Sequence, residues 1–228
     1  MDLLSFARGP LMQWAVTIFV VGMLWRIFGI WLLRRKADLS EPRNPAAWKG
    51  LWLVLYRSWP RREFIGATAF TETMGYVFHL GFLATLFFFL PHVLFFADMV
   101  SGLFGFTFKG VVGVPWPTLP GGAIYFLGAV SVAALIAVLI HRLVNPVKRL
   151  ISNFDDYLSW LLTIAPLVTG LLAYGHIGAP YQTLLALHIL SVDLLLVWFP
   201  FGKLMHAFLI VATRATQGMQ FERKGASL

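Results

Sequence analysis

The sequence contains no cysteine, and this absence excludes several kinds of redox site. Without thiols the chain forms no disulfide and holds no thiolate-bound iron–sulfur cluster, no cysteine-ligated haem and no haem attached through a C-x-x-C-H motif. Charged residues are scarce too, at 12% of the 228 positions. The sequence has no Ser-His-Asp set, no phosphate-binding loop, no metalloprotease motif and no internal repeat.

Apolar residues make up 59% of the chain, and the mean hydropathy is +0.77. A bilayer-spanning helix needs about 20 predominantly apolar residues, and five runs in the sequence are long enough. We therefore predict an all-α membrane protein with a single domain over residues 1–228. The predicted transmembrane helices cover approximately residues 11–33, 74–97, 122–143, 157–175 and 181–212.

The basic residues are distributed unevenly between the predicted connections. Fifteen of the 18 Lys and Arg lie in the 34–73 connection, the 142–156 connection and the carboxyl-terminal segment, which share one side of a five-helix topology. The positive-inside rule assigns that side to the cytoplasm, so the amino terminus is predicted outside and the carboxyl terminus inside. The predicted location is the cytoplasmic membrane of a prokaryote. The net charge of +8 is thereby explained without a nucleic-acid partner.

Two histidines mark the last predicted helix. His188 and His206 are 18 residues apart, which on an ideal helix is five full turns and about 27 Å along the axis. Both imidazoles would then lie on one stripe of the helix, near opposite faces of the membrane. Imidazoles inside a bilayer are costly unless they have partners, and haem iron is the ligand that best explains such a pair. Hydrogen-bonded histidines in a helix bundle are the alternative interpretation.

The second predicted helix supplies two further histidines. The topology brings His79 to the depth of His206 and His92 to the depth of His188. We therefore predict two haem b groups, an inner haem bound by His79 and His206 and an outer, more exposed haem bound by His92 and His188. Two axial imidazoles leave no open position on the iron, which favours electron transfer over oxygen binding. His79 and His92 would be about 140° apart on an ideal helix, unless Pro91 kinks it.

The remaining two histidines, His141 and His176, are predicted to meet water or headgroups. Two charged residues lie inside predicted spans, where an unpaired charge is expensive. Arg26 either reaches a propionate of the inner haem or extends its guanidinium to the cytoplasmic interface. Asp193 lies near the middle of the membrane, and the sequence names no partner for it.

Three basic residues after the third helix and one in an outer loop are further candidates. Arg142, with Lys148 and Arg149, either meets haem propionates or simply follows the positive-inside rule. Lys109 lies in the aromatic and Pro-rich loop 98–121. Its ammonium is a candidate for a quinone site, since it would stabilise charge that develops on a quinone oxygen. An exposed loop lysine is the alternative.

Three motifs carry a resemblance to a known family: His79-Leu80-Gly81-Phe82, Phe154-Asp155-Asp156-Tyr157-Leu158, and Pro200-Phe201-Gly202-Lys203-Leu204-Met205-His206. With five helices, the chain resembles the gamma subunit of respiratory nitrate reductase. It is also similar to the cytochrome b subunits of sulfite-reduction-associated, heterodisulfide-reductase-like and hydrogenase-linked membrane complexes. The nitrate reductase subunit places its two helix 2 histidines closer together than the 13 residues found here, which favours one of the sister branches.

The resemblance implies a partner on each side of the membrane. These are a cytoplasmic iron–sulfur subunit and an outer redox subunit such as a periplasmic hydrogenase or a cytochrome, with the membrane quinone as a further reactant. The predicted function is that of a di-haem cytochrome b subunit, which carries electrons between the quinone pool or the outer partner and the iron–sulfur subunit. The alternative is a haem-free membrane anchor or transporter subunit, although the chain has no inverted repeat and no matched pair of broken half-helices.

Overall fold

The computed structural model describes residues 2–33, 39–44, 47–56, 58, 62–104 and 116–226. Every regular element in these ranges is a helix. Four of the helical segments are long and apolar enough to cross a membrane, and a bent helix pair is a fifth candidate. Large apolar side chains face outward, for example Trp25 and Trp31, which are 74% and 75% exposed. Lipid-facing helices have this arrangement, so the predicted all-α, multi-pass class is confirmed.

Ten α-helices are described, together with short 3-10 helices and one π-helix. The α-helices are α1 (Leu3–Phe6), α2 (Met12–Leu32), α3 (Leu53–Tyr56), α4 (Ile65–Phe88), α5 (Leu90–Phe104), α6 (Gly121–Val144), α7 (Pro146–Leu150), α8 (Phe154–Gly175), α9 (Tyr181–Trp198) and α10 (His206–Lys224). The 3-10 helices are Ala47–Trp52, Arg62–Phe64 and Lys203–Met205, and the π-helix is Ala7–Leu11.

The first span is longer than the sequence predicted. α1, the π-helix and α2 together form a 30-residue apolar segment, Leu3–Leu32. It begins where the side chain of Asp2 accepts a hydrogen bond from the Ser5 backbone N–H at 2.8 Å, a typical helix N-cap. Pro10 lies inside the π-helix, because the proline has no N–H for the normal ladder and the turn widens around it.

The second predicted span, 74–97, is wrong in two respects. The helix begins nine residues earlier, at Ile65, and it is broken at Phe89, where α4 and α5 meet at an angle of 62°. Pro91 provides the reason, since its ring clashes with a continuing helix and it has no N–H to donate. Phe89 takes the break in an extended conformation, with φ −82° and ψ 123°.

Three backbone carbonyls at this break find partners outside the helix ladder. An unsatisfied carbonyl inside a bilayer costs several kcal/mol, so these contacts stabilise the bend. They also tie the segment after the outer loop onto the end of α4. The donors are His92 Nδ1 to Thr85 O (2.8 Å), Trp116 Nε1 to Phe87 O (2.7 Å) and the Leu119 N–H to Phe88 O (2.9 Å).

The predicted continuous helix 181–212 is also wrong. α9 ends at Trp198, and α10 begins only at His206 after a turn and a 3-10 helix. Pro200 explains the stop, because proline cannot continue the helix ladder. His188 and His206 therefore belong to different helices and not to one stripe of a single helix. α10 is not among the candidate spans.

The long helices pack in the spatial order α4, α6, α8, α9, α2. The core between α4, α6 and α8 is apolar and includes Leu135, Ile164 and Leu167. Trp160 closes this core by donating its indole N–H to the Leu135 carbonyl at 2.9 Å. α10 is covered at its end of the molecule by two short helices, the 3-10 helix Ala47–Trp52 and α3.

Gly81 allows α4 to approach α6 closely, which leads to a testable prediction. A Cβ at Gly81 would lie 2.8 Å from the Leu127 carbonyl oxygen and would meet the Ser131 hydroxyl as well. We expect Gly81→Ala to lower the free energy of unfolding by about 1–3 kcal/mol, since overpacking forces the backbones apart. Gly66→Ala on the same helix is the control, because a Cβ there meets nothing within 4 Å. Thermal unfolding in detergent would measure both, and equal melting temperatures would contradict this account of Gly81.

Candidate functional site

The structure brings four of the six histidines together as two pairs. His79 on α4 faces His206 at the start of α10, with ring centroids 6.2 Å apart and ring planes at 82°. His92 on α5 faces His188 on α9, with ring centroids 6.1 Å apart and ring planes at 16°. These are the two pairs that the depth argument made from the sequence.

Both separations fit two imidazoles on opposite sides of one metal ion. An imidazole nitrogen binds a metal at about 2.0–2.1 Å, as in zinc sites, and the ring centre lies roughly 1.1 Å behind that nitrogen for ring bonds of about 1.33 Å. Two rings in line across one metal therefore have centroids about 6.3 Å apart. Simple aromatic contacts also occur at about 4.5–7 Å, so the hydrogen bonds of the rings must distinguish the two cases.

All four paired histidines use the same ring nitrogen for a backbone contact. A carbonyl oxygen can only accept, so each Nδ1 carries the hydrogen, and the lone pair of the neutral ring lies on Nε2. Metal-bound histidines have this arrangement, in which one nitrogen donates to a carbonyl while the other binds the ion. The Nδ1 contacts are His79 to Gly75 O (2.6 Å), His92 to Thr85 O (2.8 Å), His188 to Pro166 O (3.0 Å) and His206 to Lys203 O (2.8 Å).

The other two histidines lack this arrangement. The Lys148 ammonium donates to His141 Nδ1 at 3.1 Å, so that nitrogen accepts and does not donate. Burial, and then the nearby Arg142 guanidinium, lower the pKa of Lys148 from its ordinary value. His176 is exposed after the end of α8 and packs on Tyr181 with ring centroids 5.1 Å apart. Neither histidine joins a pair of imidazoles.

Among the described residues, no three His, Cys, Asp or Glu side chains form a group that could hold a metal ion. Haem does not require such a group. The porphyrin supplies four nitrogens to the iron, and the protein supplies one or two axial ligands. Within the described part of the chain the Nε2 atoms of both pairs make no hydrogen bond, so the two pairs match the donor set of two bis-histidine haems.

The two pairs differ in exposure. His79 and His206 are exposed, whereas His92 and His188 are partly buried. The space beside His79 is open, because a Cβ at Gly75 would meet nothing within 4 Å. The His188 ring is instead covered by α8, and a Cβ at Gly170 would lie 3.1 Å from its Cε1 atom.

A hydrogen-bond network between α8 and the turn before α10 fixes the position of His206. Asp155 accepts from the Lys203 backbone N–H at 3.2 Å and from the Ser159 hydroxyl at 2.7 Å. The Lys203 ammonium binds Asp156 at 2.5 Å, and the carbonyl of the same lysine accepts from His206 Nδ1. The sequence argument used these acidic residues only as part of a family motif and did not recognise that they position His206.

Arg26 lines the same cavity as His206, and its contact with a haem propionate stays a prediction. The cavity has a volume of about 410 Å³ and also includes Lys203, whose ammonium is bound to Asp156. Within the described part of the chain, the Arg26 guanidinium forms no ion pair. An anionic group in this cavity would therefore find a cation available.

The other predicted charged contacts are less directly supported. Arg142 binds Asp156 at 3.2 Å and the Ser152 hydroxyl at 2.8 Å, and its contact with a propionate stays a prediction. Lys109, the candidate quinone residue, lies outside the described residues. One carboxylate that sequence reasoning missed is Glu72, whose Oε2 is buried without a partner in the described structure. Glu72 lies seven residues before His79, so both residues are on one stripe of α4. This spacing is the feature of the sequence that points to Glu72.

Comparison with known proteins gives a relative but no named family. The chain matches no protein-family model and no solved structure. It is 29% identical over 234 residues to a protein of Nitratidesulfovibrio vulgaris strain Hildenborough, and the match covers 98% of this chain and 96% of that protein. The relative's name specifies no activity, so the similarity supports a shared overall organisation and leaves function to the site.

Proposed function

We propose that this protein is a di-haem cytochrome b subunit of a membrane-bound redox complex, with His79 and His206 holding one haem and His92 and His188 the other. The observation that carries the proposal is the common state of the four imidazoles. Each pair has the ring separation of two ligands across one metal ion, and each ring donates Nδ1–H to a carbonyl. Hydrogen-bonded histidines of a helix bundle would share the carbonyl contacts, but those contacts do not account for two pairs of rings at this separation.

The residues around the two pairs fit this cofactor. When bound, each haem supplies an iron that changes oxidation state by one electron, and two axial imidazoles leave it no position for oxygen. The carbonyl contacts fix the tautomer and the orientation of every ring. The Asp155–Lys203 contact fixes the chain just before His206, and α8 holds His188 from the side.

The two pairs lie at different levels of the bundle, as a path for electrons across a membrane requires. We propose that the His79–His206 pair is near the cytoplasm, in accordance with the positive-inside rule. A cytoplasmic iron–sulfur subunit would then bind the face that carries α10 and the 3-10 helix Ala47–Trp52. The quinone pool, or an outer hydrogenase or cytochrome subunit, would exchange electrons with the His92–His188 pair. Co-purification in mild detergent, followed by mass spectrometry, would test for these partners.

Reduction by a quinol tests the proposed function. The purified full-length chain in lipid vesicles is mixed with a soluble quinol analogue while the visible absorption of haem is recorded. We expect the spectrum of reduced haem to appear with the quinol alone and to reach its full size after dithionite. Haem that only dithionite reduces would contradict the link to quinone, and a chain without haem absorption would contradict the whole proposal.

Arg26 provides a prediction about the inner site. We expect Arg26→Gln to lower the midpoint potential of the His79–His206 haem by about 90 mV, because two unit charges roughly 8 Å apart interact by about 2 kcal/mol at an effective dielectric of 20, and about 1.4 kcal/mol corresponds to about 59 mV for a one-electron couple. Arg8→Gln is the matched control, since Arg8 is also exposed and lies at the other end of the same span. A spectroscopic redox titration measures both potentials. An unchanged potential in Arg26→Gln would indicate that its guanidinium faces the interface and not the haem.

A further inference from the structure

Asp193 is the least exposed ionisable side chain among the described residues, and the proposed electron path does not use it. Only 1% of its surface is exposed. Both carboxylate oxygens are buried, and neither has a hydrogen-bond partner within the described ranges. A buried carboxylate without partners carries a large desolvation cost, whereas the neutral acid carries a much smaller one.

Helical spacing places the carboxyl group in a seam of small residues between α9 and α2. Ala186 and Asp193 are 0% and 1% exposed and are seven residues apart, so they share one stripe of α9. Pro200, seven residues further on, contacts α2, since a Cβ at Gly22 would lie 2.8 Å from its side chain. α9 also packs on the π-helix that precedes α2, so the two helices run parallel. Ala15 lies seven residues before Gly22, as Asp193 lies seven residues before Pro200. In parallel helices this spacing places Ala15, which is 1% exposed, opposite Asp193.

No cation lies at the level of Asp193 on any helix packed against it. On the first span the ionisable residues are Arg8 and Arg26, seven and eleven residues from Ala15, which is about 10 and 16 Å along the axis. α8 has no titratable side chain between Tyr157 and Tyr174. On α9 itself the nearest is His188, five residues away, about 7.5 Å along the axis and roughly 140° around it.

We propose that Asp193 is a proton-binding site in the membrane interior, linked to the redox state of the His92–His188 centre. This rests on the proposed function, because the charge that changes is that of the iron bound there. In the oxidised state, the additional positive charge on the iron of this centre would favour the ionised form of Asp193 over the neutral acid. A haem held by His92 and His188 would lose that charge on taking one electron from the quinol donor, and Asp193 would then take up a proton from water on a carboxylate oxygen. Oxidation would return that proton to water.

The proposal is tested on the full-length chain in detergent with two probes. A hydrophobic carbodiimide, which modifies protonated buried carboxyl groups, is expected to label Asp193 several-fold faster in the reduced than in the oxidised protein. Infrared difference spectra between the two redox states are expected to show a carboxylic acid C=O band on reduction. Asp193→Asn, which keeps the shape of the side chain, should bind two haems and lose this band. Asp98→Asn, at an exposed position on α5, should keep it.

The outcomes separate this inference from the proposed function. The inference would be overturned if the protein binds two haems but the C=O band persists in Asp193→Asn, or if the labelling rates are equal in both redox states. Either result would leave the cytochrome assignment standing. A chain without haem would remove the redox link and the proposed function together. Protection of Asp193 from the carbodiimide by added Na⁺ would show a cation site in place of a proton site and would overturn the inference.

Discussion

Replacing His206 with alanine is expected to leave one haem per chain where the unaltered protein holds two. The variant removes one of the two imidazoles whose ring centroids are 6.2 Å apart, and the remaining His79 cannot hold a low-spin haem alone. We expect His79→Ala to have the same result. The double variant should lose no more than either single variant, because both residues serve one site.

The haem-to-chain ratio and the visible spectrum measure this effect. His141→Ala is the matched control, since that imidazole is bound to Lys148 and belongs to neither pair. Loss of both haems in His206→Ala, with secondary structure intact by circular dichroism, would mean that the two sites are not independent. A ratio of two together with an unchanged low-spin spectrum in the same variant would remove His206 from the proposed ligands.

Gly170→Val is expected to remove the other haem without changing any ligand. A Cβ at this position would lie 3.1 Å from His188 Cε1 and 3.2 Å from its Nδ1, so a branched side chain must displace the ring. The displaced imidazole loses its contact with the Pro166 carbonyl, which is 3.0 Å long in the unaltered protein. Since this contact fixes the tautomer, we expect at least a tenfold loss of haem affinity at this site.

The His79–His206 site is the internal control for Gly170→Val, because it lies at the other level of the bundle. Separate redox titrations of the two spectral components would show whether the loss is selective. Equal losses at both sites would indicate a general defect in folding. Two unchanged components would show that α8 does not constrain the His188 ring.

The sequence predicts five spans, whereas the structure has four helical segments long and apolar enough to cross a membrane, or five if the bent pair α4–α5 is one span. The bounds of the first, second and last predicted spans differ from those of the structure. Hydropathy detects a run of apolar residues, and this signal is the same whether the run is one straight helix or two helices. Pro91 was recognised as a candidate kink, whereas Pro200 was placed inside a continuous helix. Whether a proline bends a helix or ends it depends on which groups donate hydrogen bonds to the carbonyls that the proline leaves without a partner. Those donors lie far away in sequence, as Trp116 does from Phe87.

The pairing of the histidines could be predicted because depth in a membrane follows from topology and residue count alone. The state of each ring could not, because it depends on a backbone carbonyl whose position only the folded chain defines, such as that of Pro166 for His188. The same limit explains why the covering of the His188 ring by α8 could not be predicted. How closely α8 approaches His188 is decided by Gly170, on a different helix.

The ratio of haem to chain in the purified full-length protein tests the central claim most directly. A haem assay on protein of known concentration, together with the visible spectrum of the reduced state, gives this ratio. We predict two haems per chain, and none after His79, His92, His188 and His206 are all replaced by alanine. A ratio of zero in the unaltered chain, or a ratio of two that survives the fourfold replacement, would contradict the account.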